Sequence, residues 1–102
     1  MFKAMILLTR RDDMTHDDFV RWWLDEHSAL ASTLPGVRAI TFNVVDDGND
    51  GVDGVAELWF DSREAFEAAY ATEIGKATAA DSMAHVKGRV RLLVAENAIV
   101  ER

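Results

Sequence analysis

The spacing of apolar positions changes several times along the chain, and each change marks an element. Residues 2–9 hold Met, Ile and Leu in a tight apolar run, which predicts a strand buried on both faces. Residues 10–14 form a turn. Over residues 15–34 the spacing becomes helical: at about 100° per residue, Phe19, Val20, Trp23, Leu24, Leu30, Ala31 and Leu34 share one arc. Arg21, Asp25, Ser28 and Ser32 lie opposite. Thr15, with Asp18 three residues on, supplies a start signal related to the capping box, and Pro35-Gly36 a stop.

Residues 37–45 are β-branched and aromatic enough for a second strand. The segment 46–54, dense in Asp, Asn and Gly, turns the chain into a third strand at 55–60 as a loose hairpin. Asp61 or Ser62 caps a second helix, with Glu64 in its first turn and Phe66, Ala69 and Tyr70 on one face. Gly75 interrupts or bends the next stretch, while Ile74, Ala77, Asp81 and Ala84 keep helical spacing up to His85. After Gly88, residues 89–99 read as the last strand.

The order β-α-β-β-α-β predicts an α+β, ferredoxin-like protomer with two helices on one face of a four-stranded antiparallel sheet. Such a sheet leaves its other face wet, so its strands should alternate apolar with polar residues. They do not. Ala4 to Leu8, Leu58 to Phe60 and Leu92 to Ala95 offer apolar side chains to both sides. A second copy of the chain is the simplest cover, because two-fold homodimers dominate oligomers.

With 102 residues, 49% of them hydrophobic, the chain is expected to form one domain over residues 1–102. The absence of cysteine removes disulfides, thiolate nucleophiles and Cys-based zinc sites. The N-terminus has no signal-peptide pattern and no apolar run spans a bilayer, so a cytoplasmic protein is expected. A net charge of −7 repels phosphate backbones and anionic membranes, so neither nucleic acid nor membrane is an expected partner. Gly48, Gly51 and Gly54 alternate with aspartates but precede no helix, so they form no phosphate loop. Nor has that segment the length or bidentate glutamate of an EF-hand. The three histidines lack metal-ligand spacing, and no metal or cofactor is expected.

One titratable group breaks the apolar arc of the first helix: His27, near its centre. It is either a core histidine bonded to a backbone carbonyl or a cavity group that meets a ligand near neutral pH. The helix C-terminus favours its imidazolium, and Trp23 with the surrounding aliphatics favours the neutral base. Glu57 sits between apolar neighbours on a central strand and shares a face with Val55 and Trp59. It is a second acid/base, an orienting partner for His27, or half of an ion pair with Arg10, Arg89 or Arg91. Trp23 and Trp59 are core residues or the aromatic wall of a pocket, and Trp22, on the flank, is core or a dimer contact. His16 and His85 read as surface residues, with His85 also a candidate for the site.

Four stretches together give the chain a family resemblance: Trp23-Leu24-Asp25-Glu26-His27 followed by Leu30; Leu34-Pro35-Gly36-Val37; Gly54-Val55-Ala56-Glu57-Leu58-Trp59-Phe60-Asp61; and Ala65-Phe66. Over nearly its whole length the chain resembles the EthD family of the dimeric α+β barrel superfamily. The resemblance implies a ferredoxin-like protomer whose sheet packs on that of its twin, with a ligand cleft between helices and sheet. It maps the family's helical histidine onto His27, which favours the cleft-facing explanation. At His85 the chain departs from the pattern, where an aromatic is expected. Similar superfamily members include polyketide cyclases, muconolactone isomerases, quinol monooxygenases and haem-binding enzymes, so the fold fixes no reaction. The expectation is a homodimer that binds a small apolar or carbonyl-bearing molecule as a cofactor-independent cyclase or isomerase. His27 is its general acid/base, Glu57 assists, and Trp23, Trp59 and His85 line the site. The alternatives are a haem- or quinone-handling oxidoreductase, with His27 or His85 as haem ligand, and a non-catalytic small-molecule binding or accessory protein.

Overall fold

The computed structural model describes the chain from Met1 to Arg102 apart from Gly48, which lies outside the described residues. Strand β1 (Phe2–Arg10) pairs with β3 (Gly54–Phe60) on one side and β4 (Val86–Val94) on the other, and β2 (Ala39–Val44) pairs with β3. Every pairing is antiparallel and the order is β2-β3-β1-β4, the ferredoxin-like α+β arrangement expected. Pleating sends Ala4, Ile6 and Leu8 of β1 and Ala56, Leu58 and Phe60 of β3 to the helix-covered face, where all are buried. They pack with Phe19, Trp22, Trp23, Leu34 and Phe66 in one core. Each large side chain withdrawn from water there contributes about 1.5–3 kcal/mol.

The first helical region begins as α1 (His16–Arg21), capped by the Thr15 side chain, which accepts from the Asp18 amide. It continues as a π-helical stretch (Trp22–His27) and closes as α2 (Ser28–Ala31). The Ser28 amide donates to the Trp23 carbonyl, five residues back, and this wider turn changes which side chains face inward. Trp22, expected on the flank, is buried; Leu24, expected in the apolar arc, is exposed. A uniform helical step cannot reproduce that phase change.

Ser62 caps α3 (Arg63–Ala71), as expected, by accepting from the Ala65 amide. The break before α4 (Glu73–His85) falls at Thr72 rather than at Gly75. Thr72 caps α4 by accepting from the Gly75 amide, and Gly75 lies so close to the Ala69 carbonyl and Tyr70 that a Cβ would collide with them. The last strand starts and ends earlier than its apolar pattern predicts. Gly88 lies within it opposite Thr9, and β4 stops at Val94, which faces Lys3, one residue short of the start of β1.

The acidic turn forms a short 3-10 helix (Asp46–Gly51), with Asp47 and Asp50 at positive φ. Behind it, the buried Asp53 carboxylate accepts from the Arg10 amide at 2.8 Å and the Arg10 Nη1 at 2.5 Å, and meets His16 Nδ1 at 2.7 Å. Burial pushes the Asp53 carboxyl upward, but these bonds outweigh it and hold the group below the usual carboxylate range. His16, expected at the surface, is therefore half-buried and ties the helix start to this loop. Among the described residues, no helix is long and apolar enough to cross a membrane.

Candidate functional site

The widened turn delivers His27 to α4. The residue is only 5% exposed, and Nδ1 lies 2.8 Å from Asp81 Oδ2. A carboxylate oxygen accepts, so the ring proton resides on Nδ1 and leaves Nε2 with a free lone pair. Ser82 Oγ stands 3.3 Å from Nε2 and can donate to it. Burial pulls the His27 pKa down more strongly than the hydrogen bond and charge of Asp81 push it up, with smaller downward contributions from His85 and Arg89. The result is a neutral, oriented base at neutral pH.

Asp81 organises more than one ring. The Trp22 indole N–H donates to its Oδ1 at 3.4 Å, and the His85 Nδ1–H donates to its backbone carbonyl at 2.8 Å. The His85 ring stacks on Trp22, with centroids 4.2 Å apart and planes 15° from parallel. His85 is accordingly half-buried rather than a free surface group. Its departure from an aromatic is conservative in shape, since the imidazole fills a stacking position.

His27 borders a cavity of about 20 Å³ between the helices and the sheet, enough for about one water. Ser82, Thr78, Tyr70 and Arg89 supply the other polar groups of its lining, and Trp23, Phe42 and Leu58 are among its apolar walls. Phe42 lies 4.3 Å from Trp23 and within 3° of parallel, and also lines a groove of about 290 Å³ with Leu24, Ser28, Ser32 and Ile40. The phenyl ring therefore borders both the cavity and the more open groove. Burial raises the Tyr70 phenol pKa and lowers that of the Arg89 guanidinium. Trp23 Nε1 and Arg89 Nε are buried without partners among the described residues. An unsatisfied buried donor costs about 1–3 kcal/mol.

The structure brings Trp23 and His27 together and links His85 to them through Asp81 and Trp22. Glu57 and Trp59 lie elsewhere. The pleat of β3 puts both on the face opposite Ala56 and Leu58, away from the cavity, so neither the assisting role of Glu57 nor the pocket wall of Trp59 is met within the protomer. The ion-pair partner of Glu57 is Lys3 at 2.6 Å rather than an arginine; Asn43 Nδ2 also donates to it at 2.8 Å. Those bonds hold the Glu57 carboxyl below its usual range. Trp59 lies beneath Lys3 Nζ, 4.9 Å from the ring centroid.

Asp81, Ser82, Tyr70, Phe42 and Arg89 were not among the expected site residues. Asp81 alone had a signal, since it interrupts the row of Ile74, Ala77 and Ala84 as His27 interrupts its own arc. Among the described residues no cluster of three or more His, Cys, Asp or Glu side chains is placed to hold a metal.

A model of the EthD domain matches residues 11–87. No curated protein matches the chain. Solved structures do: an EthD (ethyl tert-butyl ether) family protein from Bacillus halodurans superposes with a TM-score of 0.80 at 22% identity, covering 95% of this chain and 100% of that one. A dimeric ferredoxin-like protein of unknown function from Thermobifida fusca gives 0.75 at 20% identity, with coverages of 93% and 90%. SnoaB, a cofactor-independent oxygenase from Streptomyces nogalater, gives 0.72 at 18% identity, with coverages of 98% and 97%. At these identities the likeness shows the fold alone.

Proposed function

The chain belongs to the EthD family, and on that premise we propose that it binds a small apolar, carbonyl-bearing molecule beside His27 and moves a proton to or from it, as a cofactor-independent isomerase or cyclase. The observation that carries this reading is a neutral imidazole whose Nδ1 is fixed by Asp81 and which, with Ser82 beside its Nε2, lines a cavity. His27 Nε2 takes a proton from a carbon next to the carbonyl, the electron pair moves onto the carbonyl oxygen, and Asp81 stabilises the imidazolium formed. Return of the proton to another atom of the same molecule completes an isomerisation; attack of the enolate carbon on a second carbonyl of the ligand closes a ring, and the alkoxide so formed takes the proton back from His27. General acid–base catalysis of this kind contributes about 10²–10⁴-fold.

Ligand access runs from the groove beside Leu24 and Ser28. Rotation of Phe42 away from Trp23 joins groove and cavity into a space of the size that small organic ligands occupy, about 300 Å³ or more. The description of SnoaB as a cofactor-independent oxygenase supports the compatibility of the fold with chemistry that needs no bound cofactor.

A second copy of the chain covers the open sheet face. Val90 and Leu92 are exposed there, with Met5, Leu7, Val55 and Trp59 half-buried beside them, and the Thermobifida neighbour is described as dimeric. Sedimentation should give a dimer for the wild type and a monomer for Leu92→Glu.

The catalytic reading is tested by hydrogen–deuterium exchange at the α-carbon of 2-indanone in D2O, followed by proton NMR. The wild type should accelerate exchange and His27→Gln should lose the acceleration. Equal rates in the two proteins would remove His27 as the base.

A further inference from the structure

The two orphaned donors around the cavity have one chemistry in common. Arg89 Nε and Trp23 Nε1 are both hydrogen-bond donors, both are buried without partners, and both belong to residues lining the space beside His27. Among the described side chains, no buried acceptor is left unmatched to pair with them. The missing group must accept.

Charge narrows it further. Among the described residues Arg89 makes no ion pair, whereas Arg10, Arg11, Arg21, Arg38 and Arg63 each hold a carboxylate. Its position is set by the sheet: the β4 register places Arg89 opposite Leu8, on the helix-covered face, with Arg91 next on the same face opposite Ile6. The Arg91 guanidinium lies 5.2 Å from the centroid of the Phe66 ring and adds positive potential. Among the described residues neither cation meets an acid, and Asp81, the carboxylate beside His27, is bound to that ring. Thr78 Oγ1 donates to the Ile74 carbonyl and Ser82 faces His27, so neither compensates Arg89.

We propose that Arg89 orients the ligand of the His27 cavity and that this ligand is an organic acid, a small apolar body bearing a carboxylate that the guanidinium receives. The proposal rests on the cavity being the ligand site and deepens that reading by naming the charge of its occupant. A guanidinium holds a carboxylate through two parallel N–H bonds, which fixes direction as well as position. The apolar body then lies along Trp23 and Phe42 with its reacting carbon toward His27 Nε2. In a chain of net charge −7, the surface as a whole repels such a ligand. Positive charge at half-buried Arg89, with exposed Arg91 beside it, supplies the local attraction that overcomes it.

The test uses benzoate and its neutral isostere benzamide, titrated into the wild type, Arg89→Met, Arg89→Lys and His27→Gln. The indole N–H signal of Trp23 in nitrogen–proton NMR spectra reports binding. Benzoate should bind the wild type about tenfold or more tightly than benzamide, the scale of a charge-assisted hydrogen bond. Arg89→Met should abolish that preference by weakening benzoate alone, and Arg89→Lys should retain part of it. Equal binding of the two probes by the wild type, unchanged benzoate binding by Arg89→Met, or binding of neither probe would overturn the proposal; the last outcome would mean that a water suffices for the orphaned donors. The catalytic reading fails separately. A benzoate preference that survives in His27→Gln, together with unaltered 2-indanone exchange, would remove the base and leave the ligand assignment standing.

Discussion

Replacing Gly54 by alanine should expose how tightly the sheet is built against the cavity wall. An added Cβ would sit 2.5 Å from Trp23 Cζ3, 2.6 Å from Cη2 and 3.0 Å from Cε3. Carbon atoms in contact prefer about 3.5–4.0 Å, so the indole would have to retreat by roughly 1 Å. Its neighbours resist that move. Trp23 is fully buried, stacked 4.3 Å from Phe42, with the Phe19 ring tilted against it at 5.3 Å. Overpacking of this kind costs about 1–3 kcal/mol. Restricting the unfolded chain by removing a glycine returns about 0.4–1 kcal/mol. The net loss should be about 1–2 kcal/mol, which lowers Tm by about 4–16 °C for a domain of this size. Thermal melts and urea titrations measure it directly. The three contacted atoms belong to the six-membered ring of the indole, so Trp23→Phe combined with Gly54→Ala should lose less than the sum of the single changes. A Gly54→Ala protein as stable as the wild type would show that the indole moves aside without cost.

Burial depresses the His27 pKa below its ordinary value of 6.5, so the free base persists into mildly acidic solution. The exchange rate should be flat above pH 6.5 and fall only as the pH drops through the lower folded value, and the stability contribution of this group should be lost over the same window; a rate midpoint above 6.5 would contradict the assignment. Asp81 raises the His27 pKa, so Asp81→Asn should move the NMR titration of the His27 ring further down, whereas an upward move would show that the carboxylate does not act on the ring. Asp81→Ala leaves Nδ1–H unpaired and should cost about 1–3 kcal/mol in denaturant melts; no loss would mean that water replaces the bond at once. Glu57→Gln should leave 2-indanone exchange unchanged because the residue lies on the other sheet face, yet cost about 1 kcal/mol at neutral pH. Its folded pKa is depressed, so that deficit should vanish as the pH falls through the folded value; a lower exchange rate in Glu57→Gln would instead tie it to the site.

Local pattern reached the fold because each element carries its own signals. Thr15 and Ser62 cap helices where their side chains have orphaned amides to bind, and apolar runs in β1 and β3 follow from strands with something to bury on each side. The place of His27 on a buried helix face was legible for the same reason, since a lone imidazole among aromatics and leucines stands out at helical spacing. Its partners were not. Asp81 is 54 residues away, and the pairing depends on how α4 crosses the first helical region.

Local pattern along the chain carries the order of the elements, the antiparallel topology that such an order favours, the acidity that disfavours nucleic acid, and the buried face on which His27 lies. Tertiary structure decided what that histidine meets. Contact with α4 accompanies a π turn that turns Trp22 inward and Leu24 outward, the pleat of β3 sends Glu57 to Lys3 on the far face, and the register of β4 carries Arg89 inside without an acid to match it. Periodicity reports only the side of its own element on which a residue stands; which residues face each other across the core depends on how whole elements pack, and that is set by the summed burial of all of them.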